Sequence, residues 1–192
     1  MTYADNCTGN SVIDRGSITY GGYQPGVYTD EVYAQRFVPT SKCLDYVTLR
    51  LRKIVNQDVV VEIRNDYNGS PTTPIGSGYL GRYQIPHASI STSFENINIP
   101  FNIIFSSLTP KWIVIVSKLY DPNYYDGTLL FDIDGDTFLT EDNIEYVAYN
   151  CGTCPPPENA WKHQKKVKFY YKTYKKTYTE PPTPPTCNFT VT

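Results

Sequence analysis

The sequence predicts an all-β chain: a β-sandwich wired as a jelly roll, with a Pro-rich C-terminal tail. Three observations carry that expectation. Apolar and polar residues alternate along short runs, which gives a pleated strand one greasy and one wet face. The 15 prolines and 12 glycines punctuate the chain and leave little room for long helices. No stretch shows a convincing helical period, and the pattern reads as roughly eight to ten short strands separated by turns.

The chain divides into three. Residues 1–31 read as an N-terminal arm with short strands, 32–179 as the sandwich, and 180–192 as a spacer with a β-prone tail. In the arm, Ser17-Ile18-Thr19-Tyr20 is a strand closed by Gly21-Gly22. Gln24-Pro25-Gly26 is a turn, because Pro fixes φ and Gly accepts positive φ. Val32 to Val38 is the next strand and stops at Pro39.

The centre follows. Val47, Leu49 and Leu51 alternate with Thr48, Arg50 and Arg52. After the polar break Asn56-Gln57-Asp58, Val59, Val61 and Ile63 alternate with Val60, Glu62 and Arg64. Two such runs joined by a short polar turn predict a hairpin, with Glu62 and Arg64 on its outer face.

Asn65 to Gly78 is a loop in which Asn68-Gly69 favours a tight turn. Tyr79-Leu80 begins a short strand that Pro86 ends. Phe94, Asn96, Asn98 and Pro100 then alternate with Glu95, Ile97, Ile99 and Phe101, and Ile103 and Phe105 continue the apolar face. Trp112 to Ser117 is a continuous apolar run, as expected of a central strand covered on both faces. Thr128 to Ile133 and Ile144 to Tyr149 flank an acidic segment, and Val167 to Tyr178 is a last long strand. Glu180 to Pro185 reads EPPTPP, a stiff polyproline-type spacer.

Composition excludes several classes. With 17 Lys and Arg against 19 Asp and Glu, the net charge of −2 carries no global signature of nucleic-acid binding. The 18 tyrosines suit half-buried strand positions and also sugar- or protein-binding surfaces, since Tyr joins a flat apolar body to a polar tip. A single Met points to a heat-adapted host that avoids labile residues. Met1-Thr2-Tyr3-Ala4-Asp5 opens polar, so the expectation is a chain made without a signal peptide. The apolar run from Trp112 to Val116 is far too short to span a bilayer.

Several stretches resemble the jelly-roll domains of the choice-of-anchor R type, found in surface, secreted and phage proteins. They are Ala34-Gln35-Arg36-Phe37 with Pro39-Thr40, the LRLRKI strand, VVVEIRNDYNGSP, and the later SLTPKWIVIVS. The likeness covers about Val32 to Tyr174, and Pro110-Lys111 stands where that family has a glycine. It implies a carbohydrate-binding-module-like sandwich that displays or attaches, and it implies no catalytic residues.

Four groups of residues are candidate sites. Asp132, Asp134 and Asp136 alternate around Gly135 like the opening of a Ca²⁺ loop, with Thr140, Asp142 and Asn143 as further oxygens. Thr137 and Asn143 depart from the EF-hand pattern, and a polar hairpin turn is the plain alternative. The five cysteines, Cys7, Cys43, Cys151, Cys154 and Cys187, suit disulfides, or a Zn²⁺ knuckle built on Cys151-Gly152-Thr153-Cys154 with Cys7, Cys187 or His163. Lys168, Tyr170, Lys172 and Tyr174 head a ladder that continues through Lys176 and Tyr178. It suits an acidic protein neighbour, an anionic glycan or, less well, a nucleic acid, or else it is a solvated sheet face or edge strand that its lysines protect from pairing. Tyr120, Tyr124 and Tyr125 are exposed-loop tyrosines suited to sugar. The two histidines, His87 and His163, belong to no recognisable nucleophile motif.

The resulting expectation is a non-enzymatic structural or attachment protein of a virion or extracellular surface. A tail, fibre or capsid-decorating subunit comes first, a homo-oligomer held by protein contacts, with Phe189 and Val191 adding a strand to a neighbour's edge. A glycan-binding adhesion module for cell-surface sugar is the alternative, and an extracellular filament subunit the third.

Overall fold

The computed structural model describes residues 6–17, 26–72, 75, 77–119, 129–137, 147–151, 161–164 and 167–181. Among them are 15 strands: β1 (Cys7–Ser17), β2 (Gly26–Val27), β3 (Glu31–Phe37), β4 (Cys43–Lys53), β5 (Val59–Tyr67), β6 (Ser70–Pro71), β7 (Gly81–Ile85), β8 (Glu95–Ile104), β9 (Lys111–Ser117), β10 (Phe131–Ile133), β11 (Gly135–Thr137), β12 (Val147–Cys151), β13 (Lys162–Gln164), β14 (Val167–Phe169) and β15 (Tyr171–Tyr178). A 3-10 turn, His87–Ser89, precedes β8.

The strands form a β-sandwich of two antiparallel sheets. In the first, β15 lies between β1 and β4, and β8 covers the other edge of β4. β10 follows β15 along that same edge of β4 and carries β2. The second sheet runs β13, β12, β3, β9, β5, and β6 and β7 pair with successive parts of β5. β11 and β14 form a separate ribbon. Consecutive strands β3, β4 and β5 alternate between the sheets, as in a jelly roll, and so do β8, β9 and β10.

Two apolar clusters follow from the period-two patterns. Between the sheets lie Val47, Leu49 and Leu51 of β4, Val59, Val61 and Ile63 of β5, Ile99 and Ile103 of β8, and Ile113 and Ile115 of β9. On the far face of the second sheet a smaller cluster joins Val32, Ala34, Val60, Trp112, Val114, Val116 and Ala148, with Ile75 and Trp161 packed against it. β9 is buried along its whole length, as its unbroken apolar run requires.

Four expectations need correction. β4 and β5 do not form a hairpin: they belong to different sheets. The chain between them is an arch: before the polar break the Lys53 amide donates to Ser91 O and those of Ile54 and Val55 to Leu130 O, and Gln57 N turns back to Val55 O. Asp58 anchors it by accepting from His87 N at 2.8 Å, His87 Nδ1 at 3.0 Å and Gln84 Nε2 at 2.7 Å. Those hydrogen bonds to His87 hold the Asp58 carboxyl down at about 2.

The outer face of β5 is not wet. Glu62 and Arg64 are fully buried and pair, Arg64 Nη2 to Glu62 Oε2 at 2.6 Å, while Arg64 also donates to Thr72 O at 2.6 Å and Ser77 O at 2.8 Å. The last strand is broken at Tyr170, so Lys168 lies on β14 and Lys172 on β15. The N-terminal segment is no detached arm: β1 pairs with β15 as the edge of the first sheet, which makes β15 an interior strand. A Cys7–Cys43 disulfide, Cα–Cα 5.8 Å, ties β1 to β4.

Removing one partner of a buried pair strands the other charge. Arg64→Met is expected to cost about 3–5 kcal/mol in denaturant unfolding, and Glu62→Leu added to it to recover most of that loss. A cost under about 1 kcal/mol would show that the pair behaves like a surface bridge. Cys7→Ser with Cys43→Ser, which opens a loop of 36 residues, is expected to cost about 4 kcal/mol in the same measurement.

Candidate functional site

The outer face of the first sheet is where the described side chains converge without a covering layer of apolar residues. The register sets its rows. Ile13 of β1 stands opposite Tyr174 of β15, Tyr174 opposite Tyr46 of β4, and Tyr46 opposite Pro100 of β8. Four neighbouring strands thus present one apolar stripe, about 14 Å long at the usual strand spacing. Bulges beside Tyr174 and Tyr46 bring these residues into line. Ile13 is 56% exposed, and Pro100 is exposed.

At the middle of the stripe the rings of Tyr46 and Tyr174 stack, with centroids 4.0 Å apart and planes 15° apart. Desolvation first, then the neighbouring Tyr174, raises the Tyr46 phenol above its ordinary range. Tyr46 therefore stays neutral near neutral pH and offers a hydroxyl rather than charge.

The next row is polar. Lys172, Thr48 and Asn98 lie opposite one another, and Thr48 Oγ1 donates to Asn98 Oδ1 at 2.6 Å. Beyond them Arg50 faces Asn96, whose amide donates to the Tyr170 hydroxyl at 3.4 Å. Asn96 and Asn98 are exposed, so their remaining amide capacity points to solvent. The stripe and the two amides form a surface that can hold a flat, neutral, hydroxyl-bearing ligand: apolar edges below, donors and acceptors alongside.

The charges around this face are largely spoken for. Arg50 Nε meets Asp134 Oδ2 at 2.7 Å, and Arg52 meets Asp132 Oδ2 at 2.7 Å while its guanidinium lies over the Phe94 ring at 4.7 Å. Lys176 pairs with Asp45 at 2.9 Å and Lys175 with Asp14 at 3.3 Å. Lys172 Nζ sits 5.7 Å from the Tyr170 ring centre.

The sequence-derived candidates fall differently. Asp132 and Asp134 are buried beside arginines, and Asp136 lies on β11; among the described residues no three His, Cys, Asp or Glu side chains gather as a metal would need. Cys7, offered as a zinc ligand, is oxidised with Cys43. Cys151 lies on β12, and Cys154, Cys187, Tyr120, Tyr124, Tyr125, Phe189 and Val191 lie outside the described residues. Of the ladder, Lys172 and Tyr174 share the outer face, Lys168 is on the ribbon, and Tyr170 is only 6% exposed and so adds little surface. Tyr46, Asn96, Asn98 and Pro100 were missed as site residues. Their outward phase was visible in the alternation of β4 and β8, but their alignment with Tyr174 was not.

One carboxyl titrates near neutrality. Burial, then the adjacent Asp30, lifts Glu31 to about 7, and hydrogen bonds from Tyr28 and Tyr33 oppose the rise.

No family model matches the chain, and no curated protein matches it. Among solved structures the clostridial cysteine protease Cwp84, after propeptide cleavage, is similar at 18% identity with a TM-score of 0.54. The match covers 87% of this chain and 40% of that one, so this chain spans well under half the protease's length. The likeness is one of fold.

Glu31 sets a pH dependence whose sign is fixed. Its folded value near 7 exceeds the ordinary 4.5, so the fold favours the protonated form. That stabilisation is complete below about 4.5 and is lost as pH rises through 7. After discounting for partial solvent exposure, about 1–2 kcal/mol should disappear between those limits, and Glu31→Gln should flatten the profile in pH-dependent chemical denaturation. An unchanged slope in the variant would assign the effect to another group.

Proposed function

We propose that this protein is a non-catalytic attachment module that binds a neutral stretch of glycan across the outer face of its first sheet. The observation that carries the reading is the cross-strand stripe Ile13, Tyr174, Tyr46 and Pro100, flanked by the exposed amides of Asn96 and Asn98. A sugar chain presents apolar C–H edges and many hydroxyls. It gains from aromatic contact and from neutral amide partners, and it asks for no net charge. The sequence resemblance to carbohydrate-binding-like anchor domains supports the same reading.

A second reading, a subunit of a virion or other assembly, draws on the edge strand β1, where Val12 and Ile13 are 52% and 56% exposed. An edge of that kind invites a strand from a neighbour.

Binding to a glycan array and affinity electrophoresis in soluble polysaccharides test the first reading. Tyr174→Ala and Asn98→Ala are each expected to weaken binding by roughly tenfold with the thermal transition retained, in line with one lost aromatic or amide contact. Silence across the array, together with ordered oligomers by mass photometry that Ile13→Asp dissolves, would favour the assembly reading instead.

A further inference from the structure

The opposite side of the sandwich carries a second feature that the sheet face does not use. Beside the β5–β6 turn lies a cleft of about 470 Å³ lined by Tyr67, Asn68, Ser70, Pro71, Thr72 and Trp161. Tyr67 is 69% exposed, the most exposed of the large hydrophobic side chains described. Trp161 is partly buried against the second apolar cluster, so one ring is free and the other is anchored. No acid or base is among the lining residues.

The cleft is held in shape from beneath. Asn68 and Gly69 both have positive φ, 52° and 83°, which closes the tight two-residue turn between Tyr67 and Ser70. Asp66 fixes that turn to the sheet: its Oδ2 accepts from Gly69 N at 3.1 Å, and its Oδ1 accepts from Trp112 Nε1 at 2.8 Å and Arg36 Nε at 3.2 Å. Thr72 is fixed through its carbonyl by buried Arg64 at 2.6 Å. These contacts hold the turn side of the cleft in place before a ligand arrives.

Two of its polar atoms are unsatisfied. The Trp161 indole Nε1 and the Thr72 Oγ1 are both buried and have no hydrogen-bond partner among the described residues. An indole nitrogen only donates, whereas a hydroxyl both donates and accepts. Burying them unpaired is unfavourable, and a ligand that parts the cleft slightly and brings its own hydroxyls relieves that cost.

From this we infer that the Tyr67–Trp161 cleft is a distinct site for one neutral pyranose unit. The free Tyr67 ring and Pro71 take the apolar face of the sugar, while Asn68, Ser70, Thr72 and the Trp161 N–H take its hydroxyls. The absence of charge in the lining argues against acidic sugars and phosphates. The inference shares no residue with the sheet face and stands or falls separately from it.

The test is a titration of the full chain with a panel of neutral methyl glycosides, followed by the two indole N–H signals in a ¹H–¹⁵N spectrum. The Trp161 signal is expected to shift and saturate in the millimolar range, while the Trp112 signal, already bonded to Asp66, stays in place. Tyr67→Ala should weaken that binding by roughly tenfold, and Thr72→Val should weaken it less while keeping the spectrum of the folded chain. Tyr174→Ala should leave it unchanged. A Trp161 signal indifferent to every glycoside would overturn the inference. So would one that responds only to a proline-rich peptide, or glycoside binding that survives Tyr67→Ala.

Discussion

The second sheet depends on a charge pair where the alternation of β5 promised solvent. Glu62 and Arg64 sit two residues apart on one strand, so both project from the same face. Left in water they would be an unremarked surface pair. Here the segment around Thr72 and Ser77 folds over them, and its carbonyls complete the guanidinium's donors. Burying two ions in a low-dielectric layer is unfavourable unless nearly every lone pair and proton finds a partner. Glu62 and the two carbonyls meet that demand for the guanidinium, while Glu62 Oε1 has no hydrogen bond and is balanced by the charge of Arg82, whose Nε lies 3.4 Å away. The pair thereby dictates where the covering loop runs. It also dictates that Trp112, Val114 and Val116 lie in a dry layer instead of an open face.

The first sheet meets the opposite condition. Its outer face pairs charge with charge across strands, Arg50 with Asp134 and Arg52 with Asp132, and no second apolar layer is needed. What remains available on that face is two phenols, two amides and the apolar ends of the stripe, with Lys172 beside them over the Tyr170 ring. A sandwich with one capped and one uncapped sheet has a built-in direction, and the uncapped side is where an extended partner can lie across several strands.

Much of this was readable from the residues. The inward phase of Val47, Leu49 and Leu51, the outward phase of Asn96, Asn98 and Pro100, the two-sided burial of Trp112 to Val116 and the turn at Asn68-Gly69 all follow from local periodicity and local φ. What failed was pairing. Asn56-Gln57-Asp58 is as good a hairpin turn as an arch by composition. Only the distant Ser91, Leu130 and His87, which take up the amides of the preceding Lys53, Ile54 and Val55 and the carboxylate of Asp58, decide between the two. The same holds for Tyr174. Its phase was legible, but its alignment with Tyr46, and that of Tyr46 with Pro100, are set by bulges and by register between strands far apart along the chain. Five cysteines likewise permit many pairings, and the fold selects Cys7 with Cys43 because both flank β15.

Locating function on the outside follows from how the interior is used. A reactive centre needs at least one acid, base or nucleophile whose bonding capacity is kept in reserve beside a cavity. Asp58, Asp66, Asp132 and Asp134 each hold up part of the fold, and the disulfide removes two thiols from nucleophilic chemistry. Among the described residues burial and the charge of Asp30 lift Glu31 to about 7, while hydrogen bonds from Tyr28 and Tyr33 oppose the rise. Neutral groups also keep capacity in reserve: the amides on β8, the paired phenols, and the unmatched indole and hydroxyl at the Tyr67 cleft. Neutral donors and acceptors set beside apolar rings recognise molecules more readily than they transform them. Because the two places lie on opposite faces of one rigid sandwich, a single short ligand cannot reach both.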